Sequence, residues 1–398
     1  MSYIGKQPAA VALTASDITD GIISTAKIAD NAVTEPKTAW NDVPFRNIVI
    51  NGDFSVSQRA TSTASITGSG YNTVDRFRTN MSSAGTWTQS QSTDVPTGQG
   101  FSKSFKMDNT TADASLSAGN YIIIDQRVEG QMLQYLKKGT SSAESLTLSF
   151  WVKSAKTGTY IAALEDSDNS RYIANSYTIS SADTWEEKSV TFAGDTTGTF
   201  GNDNATSLKV QFWLAAGTTY TSGTLATSWE SATNANLAVG QVNLADSTSN
   251  DWYVTGIQLE VGTVASNFEF LPFDVNLQRC QRYYYVFADK RTSGVSPVIE
   301  QVSVGTGVSH YGNQMAVSIS MPVNMRTIPS VDQVSGTDYF QYYHDQTGDN
   351  FDSFNNISAN GVTSMMISNT DNISATVGTC GLVYATNASA VAAFDAEL

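Results

Sequence analysis

The chain is short of most of the features that mark a chemically active or membrane-spanning protein. It has two cysteines in 398 residues, Cys280 and Cys380, too few for a disulfide framework; two buried thiols is the expected state. Its two histidines, His310 and His344, have no Cys or His neighbours at zinc-ligand spacing. No apolar run reaches the length of a membrane-spanning helix, roughly 18 residues. Charged residues make up 15% of the chain, and the formal net charge is −15. No basic stripe stands out, which argues against nucleic acid, anionic membranes and polyphosphates as partners. The short stretch Ala9 to Leu13 follows Pro8 and a single lysine, a poor signal peptide, so synthesis in a cytoplasm without signal-driven export is expected. There is no Gly-x-Ser-x-Gly elbow and no phosphate-cradling glycine loop, and no enzyme activity is expected. The acidic pairs Asp166/Asp168 and Asp349/Asp352 read as solvated loop residues.

What is present is Gly, Ser, Thr, Asn and Asp in abundance, with short β-branched and aromatic runs between them. That pattern predicts an all-β chain of about two to three domains. From Leu146 to Lys153, Leu146, Leu148, Phe150 and Val152 alternate with Thr147, Ser149, Trp151 and Lys153. From Leu208 to Leu214, apolar residues alternate with Lys209, Gln211 and Trp213. Period two with one apolar face means half-buried strands. Further strands are predicted at 47–50, 121–128, 188–192 and 252–259, all within a sandwich spanning 45–272. The spacing of Val275, Leu277, Cys280 and Tyr284 predicts a helical linker over 273–290. A smaller β domain is expected over 291–398, with strands at 315–323, 339–343, 364–368, 380–384 and 392–398.

Residues 1–44 differ from the rest. Ile18-Thr19-Asp20-Gly21-Ile22-Ile23-Ser24-Thr25-Ala26-Lys27 is followed by a second decapeptide, Ile28 to Lys37, of the same pattern. Asp-Gly and Asp-Asn mark turns, so each unit reads as a turn and a short strand. Two units cannot bury a core alone. Ile18, Ile23, Ile28 and Val33 are therefore expected to pack on sister chains or a larger assembly.

Three separated segments form one signature: Phe45-Arg46-Asn47-Ile48-Val49-Ile50-Asn51-Gly52-Asp53-Phe54 running on to Arg59; Tyr71-Asn72-Thr73-Val74-Asp75-Arg76-Phe77; and Ile257-Gln258-Leu259-Glu260-Val261-Gly262 leading to Cys280-Gln281-Arg282-Tyr283-Tyr284. The signature resembles that of tail-fibre and receptor-binding proteins of tailed bacteriophages. Met321 to Val331 is similar to a segment in the terminal domains of such fibres. Gln126-Arg127-Val128-Glu129, the strand Leu146–Lys153 and Thr184-Trp185-Glu186 to Phe192 look like consecutive strands of jelly-roll carbohydrate-binding modules. The resemblances imply a homotrimer with an extended N-terminal anchor that docks to the phage tail or baseplate, a jelly-roll body, and a C-terminal domain as candidate receptor-binding tip. The implied role is host adsorption through a surface glycan or receptor, by a virion protein assembled in the host cytoplasm. A purely structural adaptor or decoration protein is the second reading, and a polysaccharide depolymerase the third.

Within that frame, Trp151 and Trp213 are placed by alternation on the face opposite the core. They either stack on sugar or are buried by a neighbouring subunit or domain. Trp185 and Trp229 read as core-edge residues. Asp53 and Asp251 are the candidates for a structural Ca²⁺, set against the bland reading of Asn51-Gly52-Asp53 as a turn; no other cofactor is expected. The run Tyr339-Phe340-Gln341-Tyr342-Tyr343-His344 makes Tyr339, Tyr342, Tyr343 and His344 the candidates for a receptor tip, set against an ordinary strand with Phe340 and Tyr342 in the core.

Overall fold

The computed structural model describes residues 45–291, 303–311, 313–371 and 373–398. The repeat residues Ile18, Ile23, Ile28 and Val33 lie outside the described residues. Twelve strands build the first part of the described chain. They are β1 (Ser62–Ile66), β2 (Arg78–Ser82), β3 (Thr86–Ser92), β4 (Ser104–Thr111), β5 (Tyr121–Glu129), β6 (Leu146–Ser154), β7 (Gly158–Asp166), β8 (Arg171–Ile179), β9 (Glu186–Phe192), β10 (Thr206–Ala216), β11 (Glu230–Ser231) and β12 (Asp251–Val261). One antiparallel sheet has the order β1-β3-β4-β12-β6-β9, the other β11-β8-β7-β10-β5-β2. This is the expected all-β jelly-roll sandwich.

The alternation seen in the sequence builds the core. Leu146, Leu148, Phe150 and Val152 from β6 meet Leu208, Val210, Phe212 and Leu214 from β10 in one buried cluster. Phe150 and Phe212 pack edge to face with centroids 5.0 Å apart. Each such side chain contributes about 1.5–3 kcal/mol by leaving water. β12 changes parity midway. Trp252 and Val254 enter the core, and then Ile257 and Leu259 do, because the β12–β6 register slips between Thr255 and Gln258. Gly256 turns the corner at φ 63°, with Phe101 so close that a Cβ would meet its ring at 2.5 Å.

The segment Asn47–Ile50 joins no sheet, contrary to expectation. Its hydrogen bonds go elsewhere: Ile48 N–H to the Leu259 carbonyl, Val49 N–H to Asn47 Oδ1 and Ile50 N–H to Gln126 Oε1. Side-chain amides here replace a neighbouring strand.

The predicted linker is helical only over Phe273–Gln281. Tyr284–Asp289 is a strand, β13, paired with β22 (Val391–Asp395). The apolar spacing carried no information past Cys280, because Tyr283 and Tyr284 are both fully buried against different partners. Between β13 and β22 run β14 (Ser303–Tyr311), β15 (Gln314–Ser320), β16 (Ser330–Val334), β17 (Phe340–His344), β18 (Thr347–Phe351), β19 (Asn356–Ala359), β20 (Ser364–Asn369) and β21 (Cys380–Ala385). They form a three-stranded sheet, β13-β22-β16, and a seven-stranded sheet, β18-β17-β21-β14-β15-β20-β19, around a second core containing Phe340, Tyr342, Phe351 and Phe394. Cys280 is buried, but Cys380 is exposed at the start of β21 and the two thiols are free; alternation along β21 puts Cys380 and Leu382 on the solvent side and Val383 and Ala385 in the core.

The sandwich and the later strands belong to one compact unit, 45–398, and the three signature segments join them. The Gln58 amide donates to the Tyr284 carbonyl at 2.8 Å and to Asp75 at 2.5 Å. The Arg59 guanidinium lies 3.6 Å above the Tyr284 ring and pairs with Asp395 and Glu397. Arg76 lies 3.4 Å above the Tyr283 ring and pairs with Glu397. Arg282 and the Tyr283 hydroxyl both reach Glu129 on β5. Arg127 and Tyr71 donate to the Leu398 carbonyl at 2.9 and 3.0 Å.

Gly52 sits where the chain touches β12. Its carbonyl accepts from Ile257 N–H, and a Cβ on it would stand 2.1 Å from the Ile257 carbonyl oxygen. Gly52→Ala should therefore destabilise the sandwich by about 2 kcal/mol or more, since the backbone must move apart. Denaturant midpoints of the two proteins measure this; equal midpoints would contradict the close approach.

Candidate functional site

The two outer faces of the sandwich have different fates. On the β10 sheet the outward residues Ile123, Ile161, Ala163, Tyr172, Ala174 and Trp213 form a buried cluster with Ala226 and Ala238 from the segment between β10 and β12. Trp213 is 2% exposed. Its indole N–H donates to the Tyr172 hydroxyl at 2.8 Å, which donates to the Leu237 carbonyl at 3.1 Å. Tyr121 and Tyr220 pack beside it. Both expectations for Trp213, sugar or a sister subunit, are therefore corrected: the chain's own loop covers it. Trp151 lies on the other sheet, so the two tryptophans do not share a face.

The outer face of β4, β12, β6 and β9 is only partly covered. Trp151 and Trp185 remain half-buried there. Register sets Tyr253 between Lys106 and Lys153 and Trp151 between Thr255 and Glu187. Trp185, immediately before β9, packs edge-on against Tyr253 with centroids 6.2 Å apart. The Lys153 ammonium stands 4.2 Å from the Tyr253 centroid and 5.6 Å from that of Trp185. Trp151 and Lys153 point the same way two residues apart, about 7 Å along the strand. Two aromatics thus flank one lysine, which like Tyr253 is less than a tenth exposed. Asp94, on the loop between β3 and β4, closes the group: it pairs with Lys153 and accepts from the Trp185 indole at 2.9 Å. Burial alone would raise the Asp94 pKa, but the hydrogen bonds from Lys153 and Trp185 prevail and hold it below the ordinary carboxylate value. Burial raises the Tyr253 pKa, against the pull of Lys106. The face therefore offers apolar ring surface beside fixed donors and acceptors, which suits a ligand with both apolar C–H faces and hydroxyl groups.

Trp151 was legible from alternation. Trp185 was read as a core-edge residue, because it precedes its strand and has no period to read; Tyr253 was not singled out, as it looks like one more aromatic in an apolar run.

The other candidates are placed elsewhere. Asp53 accepts from Ser55 and from Asn276 at 3.2 Å. Burial, the dominant effect, raises its pKa despite those bonds. Asp251 accepts from Ala155 N–H and faces Lys106. Gly52, next to Asp53, meets β12 at Ile257, six residues from Asp251 and thus roughly 20 Å along the strand. The two carboxylates do not form one Ca²⁺ site, and no group of three His, Cys, Asp or Glu suited to a metal occurs among the described residues. In the proposed tip, Tyr342 is fully buried with its hydroxyl donating to the Thr379 carbonyl. His344 is buried against Asp349 at 2.9 Å, and Tyr339 packs on the second core. Only Tyr343, 42% exposed, faces solvent. The aromatic run is mainly core because β17 lies inside its sheet, between β18 and β21. Asp166 binds Lys138 at 2.6 Å in a buried network, and Asp168 accepts from Gly201 N–H. Asp352 accepts from Asp338 N–H.

No family model matches the chain, and no curated protein does. Solved structures do. The enzymatically active domain of tailspike protein 4 of bacteriophage CBA120 is 16% identical over 55% of this chain, at a TM-score of 0.28. The match takes up only 22% of that tailspike chain. A sugar-binding protein of Bacteroides thetaiotaomicron, itself assigned without proof of function, is 12% identical over 54% of this chain and 100% of its own, at 0.29. A carbohydrate-binding module solved with β-1,4-galactotriose is 11% identical over 55% of this chain and 99% of its own, at 0.26. Likeness of this degree carries no functional argument; the strand order and the face described above stand on their own.

Proposed function

We propose that the chain is a non-enzymatic receptor-binding protein of a phage tail, which adsorbs to host surface glycan through the partly covered outer face of β4, β12, β6 and β9. The observation that carries this reading is the pair of half-buried tryptophans, Trp151 and Trp185, on that face, beside Asp94 and the more deeply buried Tyr253 and Lys153. The three-segment signature supports the phage assignment, and the acidic charge is consistent with a glycan in place of a nucleic acid as partner. A homotrimer anchored to the tail or baseplate through residues 1–44 completes the reading. Three copies of a weak site would give avidity without any one tight contact.

Trp151→Ala and Trp185→Ala test it. Each should weaken glycan-array binding roughly 10- to 30-fold, the loss typical of an aromatic anchor. Melting temperature and the mass seen by light scattering should stay unchanged. Undiminished binding by both variants would move the site elsewhere. New reducing ends released from host polysaccharide would show that the protein cleaves.

A further inference from the structure

We infer that the outer face of the seven-stranded sheet is the surface through which copies of this chain meet. The inference rests on the homotrimer of the reading above and does not depend on glycan binding.

The sheet β18-β17-β21-β14-β15-β20-β19 turns Tyr342, Val383, Val317 and Ile367 into the second core. Register fixes what its other face carries. Tyr343 pairs with Leu382, Leu382 with Thr306, and Cys380 with Val308. Further along the same face Ser318 pairs with Met366. Tyr343 is 42% exposed, Leu382 46% and Val308 36%, and Cys380 is exposed beside them. These four come from three neighbouring strands, β17, β21 and β14, and so form one continuous patch at the middle of the sheet.

Charge selects the occupant. Asp349 is the one Asp, Glu, Lys or Arg within these seven strands. It lies in register with the buried Tyr342 and pairs with His344, so the outer face holds none of the four. The chain as a whole has a formal net charge of −15, and two copies repel wherever their charged surfaces approach. That repulsion is least where both surfaces lack charge. Loss of charge together with tyrosine, methionine and aliphatic residues is also the composition of an interface core. A strongly charged partner would find no complementary group here.

Area agrees with a second copy. The sheet has seven strands; inter-strand steps of about 4.8 Å and five residues of about 3.3 Å each give a face of about 29 by 17 Å. Two such faces cover roughly 1,000 Å², enough for a specific interface before side chains standing off the plane are counted. Tyr343 then meets a sister chain in place of a receptor.

The full chain reports on this through its own thiols, since Cys280 is fully buried and Cys380 lies on the face. Light scattering should give the mass of a trimer. Leu382→Glu, at an exposed position, should give a folded monomer in which Cys380 reacts with a maleimide and Cys280 does not; Tyr343→Glu serves if that variant fails to fold. Cys380 in the parent assembly should react at least about 10-fold more slowly than in the monomeric variant. Assembly should tighten from low salt to about 0.5 M, because screening removes repulsion and breaks no ion pair. A parent trimer whose Cys380 reacts at the variant's rate, or a trimer that Leu382→Glu leaves intact, would move the interface elsewhere and leave the homotrimer standing. Host adsorption lost in Leu382→Glu with the trimer intact would make the face a receptor surface. A parent that is monomeric at every concentration would remove the interface and the homotrimer together, and glycan binding lost in Trp151→Ala would still stand apart from that result.

Discussion

Arg76→Met should unfold much of the described chain or bring it close to unfolding. The Arg76 side chain is 1% exposed and pairs with Glu397, itself 4% exposed. It also covers the Tyr283 ring and donates to the Arg127 carbonyl at 2.6 Å. Its backbone has φ 73°, a conformation costing roughly 1–2 kcal/mol for a residue with a Cβ, so its partners must offset strain as well as desolvation. Methionine would keep most of the volume and the strain and leave the buried Glu397 charge, beside Tyr71, with Arg59 alone to neutralise it. Breaking one partner from a buried pair costs about 3–5 kcal/mol. Urea denaturation measures the loss. The double variant Arg76→Met/Glu397→Gln should recover part of it, because the buried carboxylate that has lost one of its two arginines is gone. A single variant within about 1 kcal/mol of the parent would show that the junction does not depend on this pair.

The second large effect is on pH dependence. Burial pushes the carboxyls of Asp75 and Asp125 up to about 6 from an ordinary value of 3.8, despite the opposing charges of Arg59 on Asp75 and of Arg127 and Arg78 on Asp125. Both residues are fully buried. In the folded chain each binds its proton more tightly than in the unfolded chain. Between pH 3.8 and about 6 the folded state therefore carries more protons. Stability falls as pH rises through that window and is level above it. Acidifying from pH 7.5 to pH 5 should raise the melting temperature, the gain being about 1.4 kcal/mol per group. Glu129, Asp94 and Asp195 have the opposite sign. Burial raises each, but hydrogen bonds from Arg282, Lys153 and Arg171 respectively prevail and hold it below its ordinary value. Their stabilisation is lost as pH falls through those depressed values. The stability maximum should thus lie at mildly acidic pH, near about 5. Asp125→Asn should stabilise the protein at pH 7.5 and flatten the slope toward pH 5. A melting temperature that declines steadily from pH 7.5 to 5, or an Asp125→Asn variant with the parent's slope, would contradict the assignment.

Much of the sandwich was legible because it depends on near neighbours. Leu146 to Lys153 and Leu208 to Leu214 each state their inward and outward faces within eight residues. What covers an outward face is not local. Trp151 and Trp213 have the same sequence setting, a tryptophan after a phenylalanine on a two-residue period, yet Trp213 alone is sealed, by residues following β10. The run Tyr339 to His344 left tip and ordinary strand both open for the same reason, and the strand with Phe340 and Tyr342 in the core is what forms: β17 gains its partners from β18 and from β21, some 40 residues further on. The signature was legible as a marker of class, but its physical task was not. Gln58, Arg59 and Arg76 meet Tyr283, Tyr284, Asp395 and Glu397 across more than two hundred residues, and no period or spacing predicts such a meeting.

The clamp of Arg59, Arg76, Tyr71 and Arg127 on residues 395–398 sets an order in time. During synthesis the opening segment of the sandwich emerges more than 300 residues before the groups that neutralise it. Until Glu397 has left the ribosome, two arginines destined for the interior have no carboxylate from that segment to meet. The nascent sandwich must wait, with its charges still in water, for the last link of the junction. A chain interrupted before residue 395 would lack both carboxylates of that seam and leave Arg59 and Arg76 without them.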